Sequence, residues 1–503
     1  MPSTELSTSV RSTSEKSHKS KLSEIEDPDG EFGGTEARKV LERKLLWKVD
    51  LRMSILVVIY ILNYIDRNNA GAARLRGLQS DLDLHGTQFA TLLSILYVGY
   101  IIMQVPSNMF LNWIGKPSLY LPACMVVWGT ISCLTGVTTK YSTNSLENLQ
   151  YILIAHSFKG ALLTRFFLGF VEAAFFPGAL FLLSKWYKRN ELGLRTAILY
   201  CGNIISNAFG SLMASGILSG MQGKLGHAAW RWLFFIEGVL TIAVAILAIF
   251  ILPDFPSTTK WLTEEERALA LRRMEEDSHG KSEGEDANGH TGLWMAITDW
   301  KVWWMALLLT SWVVSLSFNA YFPTLSATMG FNETVTLLLC APPFLFTTVI
   351  AFGLSRHSDK TNERFYHCIG SLILGILGFV IATNTMNIAA RYISLFLMAQ
   401  SYAGYIVFYA WMSNSFPYPA SKRAVAIAII NAFSQLGNVA GSYVWPATWG
   451  PTYRNSYGIC IATSGLAVLM LCVLKWHFTV VNEGLDKEEL RKGVKEKGFR
   501  YMV

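Results

Sequence analysis

Apolar residues along the chain collect in blocks of roughly 18–25, the length that crosses about 30 Å of hydrocarbon as a helix. Twelve such blocks are read at residues 51–66, 88–111, 118–137, 161–183, 196–218, 232–252, 302–323, 335–354, 365–383, 392–413, 424–445 and 457–476. One block alone could be the buried helix of a soluble domain. A dozen in series cannot be enclosed by a water-facing surface. The longest polar stretch away from the termini is 253–300, with Glu264-Glu265-Glu266-Arg267, Arg272-Arg273 and Glu275-Glu276-Asp277. The pattern predicts an all-α membrane protein of twelve transmembrane helices in two six-helix bundles. Its expected divisions are a disordered N-terminal tail (1–47), a first bundle (48–252), a central loop (253–300), a second bundle (301–478) and a C-terminal tail (479–503).

Composition sharpens this picture. Of 503 residues, 16% are charged, against about 25% in soluble domains. The net charge of +7 does not point to nucleic acid, because Lys and Arg sit at the ends of apolar blocks. Lys116, then Lys185, Lys188, Arg189 and Arg195, then Arg356, Lys360 and Arg364, then Lys422 and Arg423 all fall in even-numbered connections. The positive-inside rule then places both termini and the central loop in the cytosol. The expected location is the plasma membrane, as a monomer. The seven cysteines are scattered with no C-x-x-C pair, which argues against a disulfide framework and a zinc site. No H-E-x-x-H and no phosphate-binding Gly loop occurs. The chain reads as a transporter with no cofactor and no metal, not as an enzyme. His156, His357, His367 and His477 stand apart in sequence and read as loop or interface residues. An Asn332-Glu333-Thr334 sequon follows the seventh block, close to the bilayer.

Most blocks carry no ionisable residue, so the exceptions are informative: a charge at bilayer depth costs about 2.5–3.5 kcal/mol on insertion scales. The first block ends Asn63-Tyr64-Ile65-Asp66-Arg67-Asn68-Asn69, denser in polar groups than a plain helix terminus needs. The fourth holds Arg165 and Glu172, seven residues apart. They share a helix face at a separation of roughly 10 Å, too far for a direct pair. Each should find a partner on another helix or face a water-filled cavity. Gly169 between them permits close helix approach. The functional reading is a substrate and proton site; the alternative is a charge network that fixes helix packing. Further polar residues are Asn203 and Asn207, Glu237, and Asn431, Gln435 and Asn438, the last three on one face. Glu237 follows Trp230-Arg231-Trp232 and reads as an interfacial residue. Tyr97, Tyr321 and Trp411 are candidates to line a cavity, though each taken singly suits lipid or core packing as well.

These residues also carry a resemblance. Tyr64-Ile65-Asp66-Arg67-Asn68-Asn69, Tyr97-Val98-Gly99-Tyr100 with Gln104-Val105-Pro106-Ser107-Asn108, and Arg165-x-x-Leu168-Gly169-x-x-Glu172-Ala173 with Pro177-Gly178 resemble the first, second and fourth helices of the anion:cation symporter family of the major facilitator superfamily. Trp230-Arg231-Trp232-Leu233-Phe234-Phe235-Ile236-Glu237-Gly238 resembles its sixth. Gly353 with Ser358-Asp359-Lys360 and Arg364 is similar to the superfamily's gating-loop motif. The match covers about residues 45–480 and is most like the fungal allantoate/nicotinate/pantothenate permease branch. The resemblance implies the major facilitator fold and proton-driven uptake of small organic anions, usually carboxylates, by rocking of two bundles. It implies that Asp66 and Glu172 take up protons and that Arg67 and Arg165 attract the anion or pair with those acids. The expected partners are therefore a small organic anion, protons and the lipid bilayer. Substrate contacts are expected from Arg67, Arg165, Tyr97, Asn203, Tyr321, Trp411, Asn431 and Gln435.

There are departures. Asn112-Trp113-Ile114-Gly115-Lys116-Pro117 lacks the acid usual in the first-half loop motif, and residues 140–160 read as an insertion after the third block. Two other functions compete. The same fold runs proton-exchange export, and the arginines favour an anion without setting direction. A non-transporting nutrient sensor would need a longer cytosolic segment than either tail offers.

Overall fold

The computed structural model describes residues 30–137, 157–259, 261–279, 289–416, 420–492 and 500–502. Residues 1–29 of the tail predicted at 1–47 and residues 140–156 of the insertion predicted at 140–160 lie outside the described residues. Helices carry the fold, and the described residues include no strand. The helices that bear the twelve blocks are α1 (Thr35–Leu75), α2 (Gln88–Ile114), α3 (Pro117–Val137), α4 (Phe158–Trp186), α5 (Arg189–Gly220), α6 (Ala229–Ile251), α7 (Trp300–Ala327), α8 (Glu333–Thr361), α9 (Phe365–Asn384), α10 (Ile388–Asn414), α11 (Ala420–Gly441) and α12 (Arg454–Lys492). Ten of them, all but α1 and α11, are long and apolar enough to cross a membrane on composition alone. α11 has a shorter apolar stretch, Val425–Gly441.

Three boundaries differ from those expected. α1 begins at Thr35, so residues 35–47 are helical where a tail was expected. The central connection folds into two helices, Glu264–His279 and Gly289–Ile297. α12 continues past residue 478 to Lys492. Ion pairs explain the first two. Arg273, almost wholly buried, donates to Glu42 at 2.5 Å and to Glu191 at 2.6 Å. Arg38 meets Glu276 at 2.5 Å, and Lys48 meets Glu266 at 2.5 Å. The helix at 264–279 thus fastens the charged start of α1 to the start of α5. Polar blocks that look solvated one at a time cover each other.

Proline and capping residues set the breaks. Gly115 ends α2 in the left-handed region (φ 65), and Pro117 opens α3. α4 is interrupted between Glu172 and Phe175; the Pro177 ring competes with the carbonyl four residues earlier. α7 tightens to a 3-10 helix over Leu316–Tyr321 just before Pro323. Asn332 caps α8 by accepting from the Val335 amide at 2.9 Å, so the sequon asparagine is engaged in a helix cap. Asp299 caps α7, accepting from the Lys301 amide at 3.0 Å and from Lys422 Nζ at 2.8 Å.

α1–α6 pack among themselves, as do α7–α12. The halves meet where α5 packs on α8 and α2 on α11. Within the first half, α2 and α4 cross closely. A Cβ on Gly169 would lie 1.9 Å from the Leu96 carbonyl oxygen, and one on Gly99 would lie 2.3 Å from that of Phe166. This reciprocal contact is the close approach expected of Gly169. The start of α1 and the 253–300 connection share one face of the protein, the loop face.

Candidate functional site

The charges of α1 and α4 point into the protein, and Asp66, Arg67, Arg165 and Glu172 are all buried. α1 places Asp66 and Arg67 on adjacent sides of one helix, so they serve different neighbours. Asp66 turns toward α3 and α6 and accepts hydrogen bonds from Ser132 Oγ at 3.1 Å and Thr241 Oγ1 at 3.0 Å. Arg67 turns toward α4. Its Nε and Nη2 donate to a single oxygen, Oε2 of Glu172, at 3.1 and 3.0 Å. Tyr64 and Tyr100 flank the guanidinium, each ring centre 4.8 Å away. The other Glu172 oxygen, Oε1, is buried without a hydrogen-bond partner.

Arg165 lies two turns from Glu172 on α4 and reaches a different part of α1. Its Nη2 donates to Asn69 Oδ1 at 2.8 Å and its Nη1 to the Asp66 backbone carbonyl at 3.4 Å. The Asn69 amide in turn donates to Glu237 Oε2 at 2.7 Å. This corrects the interfacial reading of Glu237, which is 2% exposed. Position near a block's end misled there, because α6 enters the bundle at a depth that faces Asn69.

A cavity of about 70 Å³ lies between the halves. Its polar lining and size suit several waters. Arg67, Tyr64, Asn68, Tyr97 and Asn203 line it from the first half. Ser317, Asn319, Tyr402, Tyr405, Gln435, Asn438 and Ser442 line it from the second. The wall is therefore cationic on one side and neutral-polar on the other. The buried Oδ1 atoms of Asn203 and Asn319 have no partner.

Contacts between the halves flank the cavity on both sides. On the loop-face side, Tyr60, Phe176, Tyr200 and Tyr409 form a chain of ring contacts across the halves, with Tyr200 and Tyr409 4.8 Å apart. On the opposite side, Arg76 Nε meets Glu333 at 2.6 Å. Tyr443 bonds Thr91 at 3.1 Å and Ser94 at 3.2 Å. A Cβ on Gly71 would fall 2.5 Å from the Ala320 carbonyl oxygen, so α1 and α7 touch there backbone to backbone.

The structure sorts the sequence-predicted residues into layers. Arg67, Tyr97, Asn203 and Gln435 line the cavity. Asp66, Arg165 and Glu172 form the charged layer behind it. Three candidates lie elsewhere. Tyr321 donates to the Ser442 carbonyl at 2.7 Å and stacks with Trp445, within the opposite-side closure. Asn431 accepts from Tyr409 at 2.9 Å, behind the aromatic seal. Trp411 is fully buried and donates from Nε1 to the Met502 carbonyl at 2.9 Å. It supports a returning C-terminal segment rather than a ligand. There Tyr501 stacks on Phe478 at 4.5 Å, and its backbone N–H and C=O both bond the Asn482 side chain. Of the lining residues not assigned to the cavity from sequence, Tyr64 and Asn68 lie in the polar run 63–69, whereas Asn319, Tyr402 and Tyr405 lie on helix faces that periodicity marks only as buried. The polar row containing Asn438 was the available signal.

In the loop motif, Arg364 is buried and meets Asp359 at 2.6 Å and Ser358 Oγ at 2.9 Å. Gly353 and Lys360 are exposed, and Gly353 has open space where a Cβ would go. His357 and His367, apart in sequence, lie 2.7 Å apart at their ring nitrogens, beside Glu363. His156 lies outside the described residues.

Residues 56–442 match the family profile described as the Major Facilitator Superfamily. Among curated relatives, the MFS-type transporter cnsO of Penicillium expansum is 31% identical over 90% of this chain and 85% of its own length. A protein of Agrobacterium vitis named for tartrate transport is 29% identical over 80% of this chain and 87% of its own length. The major facilitator-type transporter hxnP of Emericella nidulans is 27% identical over 90% and 88%. Among solved structures, the proton:xylose symporter XylE aligns with a TM-score of 0.63 at 15% identity, covering 86% of this chain and 96% of that one. A bacterial homologue of the lysosomal transporter Spinster aligns at 0.62 and 15%, covering 85% and 97%.

Proposed function

The chain belongs to the Major Facilitator Superfamily and is a membrane transporter rather than an enzyme, and we propose that it is a proton-coupled symporter taking up a small organic anion, a carboxylate, by alternating access. One observation carries this reading. Arg67, the cation on the cavity wall, is neutralised by a buried Glu172 that uses only one of its oxygens. A substrate carboxylate entering the cavity competes with Glu172 for that guanidinium. If it wins, Glu172 is left as a buried carboxylate with no ionic partner, a state too costly to persist unless it takes a proton. Anion binding and proton uptake then favour each other, which is the linkage a symporter needs. Asp66, a second buried acid held by Ser132 and Thr241, is assigned as a further proton site. Arg165 supplies the second positive charge.

Moving an anion into a negative-inside cell costs about 2.3 kcal/mol per charge per 100 mV. One proton cancels the charge, and a second lets the potential drive uptake. The neutral wall of Asn319, Gln435 and Asn438 suits a substrate whose other end carries hydroxyl or amide groups. Tartrate, named for one relative, carries two such hydroxyls between its two carboxylates. We assign the loop face to the cytosol on the Lys and Arg distribution, the plasma membrane as the site, the monomer as the working unit, and the anion:cation symporter branch as the subfamily.

The test is uptake into proteoliposomes under an acid-outside gradient, with labelled nicotinate, pantothenate, allantoate and tartrate. The wild type should concentrate at least one, and Glu172→Gln should only equilibrate it. Concentrative uptake by Glu172→Gln would contradict the coupling role. Extrusion from preloaded vesicles with no uptake would contradict the direction.

A further inference from the structure

The proton and anion roles proposed above involve Asp66, Arg67, Arg165 and Glu172 and leave Glu237 without a task. Glu237 is nonetheless built into the site. α6 presents Glu237 and, one turn on, Thr241 to α1. Thr241 donates to Asp66 Oδ2 at 3.0 Å, and Glu237 Oε2 accepts from Asn69 Nδ2 at 2.7 Å. Asn69 Oδ1 accepts from Arg165 Nη2 at 2.8 Å. The amide is thus oriented from both ends: nitrogen toward Glu237, oxygen toward Arg165. Arg165 is pinned by neutral acceptors, Asn69 and the Asp66 backbone carbonyl, with the Phe234 ring 5.3 Å from the guanidinium. No ion pair joins Arg165 to an acid among the described residues, although buried acids surround it.

We propose that Glu237 is a positioning residue of the transport site: through Asn69 it holds the Arg165 guanidinium on α1 and off the Asp66 carboxylate, so that its charge stays available to an anion. The inference rests on the proton and anion roles proposed above. Without an acceptor at 237 the Asn69 side chain loses the anchor on its nitrogen and is free to swing away with its oxygen. The guanidinium then keeps only the Asp66 backbone carbonyl, at 3.4 Å, and is drawn to the acids around it. The ionisable groups that face Asp66 are Glu172 and Arg165 from α4, Glu237 from α6, Cys133 from α3 and Arg67 beside it on α1; Tyr97 on α2 faces Arg165. Glu172 has Arg67 as its cation even though its Oε1 is bare, whereas Asp66 has no cation paired with it among the described residues, so Asp66 is the charge a displaced guanidinium would neutralise. A cation moved against a carboxylate favours its charged form by about 1–3 pH units.

The readout is the infrared carbonyl band of protonated buried carboxyls, followed against pH in the purified full-length transporter in lipid and assigned by its loss in Asp66→Asn. In Glu237→Leu, the Asp66 band should titrate about 1–3 pH units lower than in the wild type. In Glu237→Gln it should titrate as in the wild type, because the Asn69 bond needs only an acceptor oxygen. Should the leucine variant fail to fold, Glu237→Met, which fills the space with a thioether that accepts only weakly, carries the same comparison. A wild-type titration in the leucine and methionine variants would overturn the inference alone. So would an equal displacement in Glu237→Gln, since charge rather than the bond would then be responsible. A wild type in which Asp66→Asn removes no titrating band would overturn the Asp66 proton role and this inference together.

Discussion

Arg67 and Glu172 are joined through one carboxylate oxygen, with both guanidinium nitrogens on Oε2 and Oε1 left bare. A closed fork-to-fork pair would be harder to open. This one is stable enough to neutralise two buried charges and leaves half of the acid free for a proton. Removing one partner of a buried pair is costly, about 3–5 kcal/mol. Arg67→Lys keeps the charge and loses the forked contact. It should remain folded and raise the KM for the anion at least about tenfold, the loss of roughly one charge-assisted hydrogen bond, as read by initial uptake rates. An unchanged KM would show that the substrate does not use this side chain.

The α2–α4 crossing should tolerate no side chain at Gly169. A Cβ there would sit inside the Leu96 backbone, 1.9 Å from its carbonyl oxygen. Gly169→Ala should cost about 1–3 kcal/mol or more, seen as a lower thermal midpoint in detergent. Because that crossing also aims Arg165 and Glu172 at α1, uptake should fall further than the folded fraction does.

The closure opposite the loop face should depend on Arg76 and Glu333. Their pair is partly exposed, so its worth is small, about 0–1 kcal/mol, yet a small bias suffices to shift a two-state equilibrium. With a single cysteine at Asn438 in a background lacking the seven native cysteines, Arg76→Glu should speed labelling by a membrane-impermeant reagent from that side. Arg76→Glu with Glu333→Arg should restore the slow rate. Equal rates in all three proteins would remove the pair from the gate.

On the loop face, Asp299 ties α7 to α11 through Lys422. Burial of this carboxyl works against its charge, but the Lys422 hydrogen bond, the Lys301 amide and the two ammonium charges outweigh it and hold its pKa below the ordinary carboxylate value. A lowered acid adds stability above its unfolded pKa and loses that stability as pH falls through its folded one. The wild type should therefore lose thermal stability over the window just below pH 4 more steeply than Asp299→Asn, in melts taken across that range. Parallel curves would contradict the assignment.

Much of this architecture was legible in the sequence. The apolar blocks, the seven-residue spacing of Arg165 and Glu172 and the need for partners on another helix follow from helical period and from the cost of a charge in lipid. Gly169 announced a close crossing. Other features depend on chain segments far apart. Trp411 looked like a cavity aromatic because nothing local reveals that Met502, ninety-one residues on, supplies its acceptor. Residues 35–47 looked like a solvated tail because their partners, Arg273 and Glu276, lie more than two hundred residues away. Glu237 was misread from its nearness to a block's end, where depth is set by how α6 packs on α1 rather than by hydropathy.

Exchange of Arg67 from Glu172 to the substrate, with a proton following, is open to direct observation. Purified transporter in a weakly buffered solution with a pH-sensitive dye would be mixed with whichever carboxylate of the panel it accumulates. Binding should draw protons out of solution in the wild type, and fewer or none in Glu172→Gln at matched occupancy. Saturable binding with no proton uptake, or equal uptake by the two proteins, would contradict the exchange.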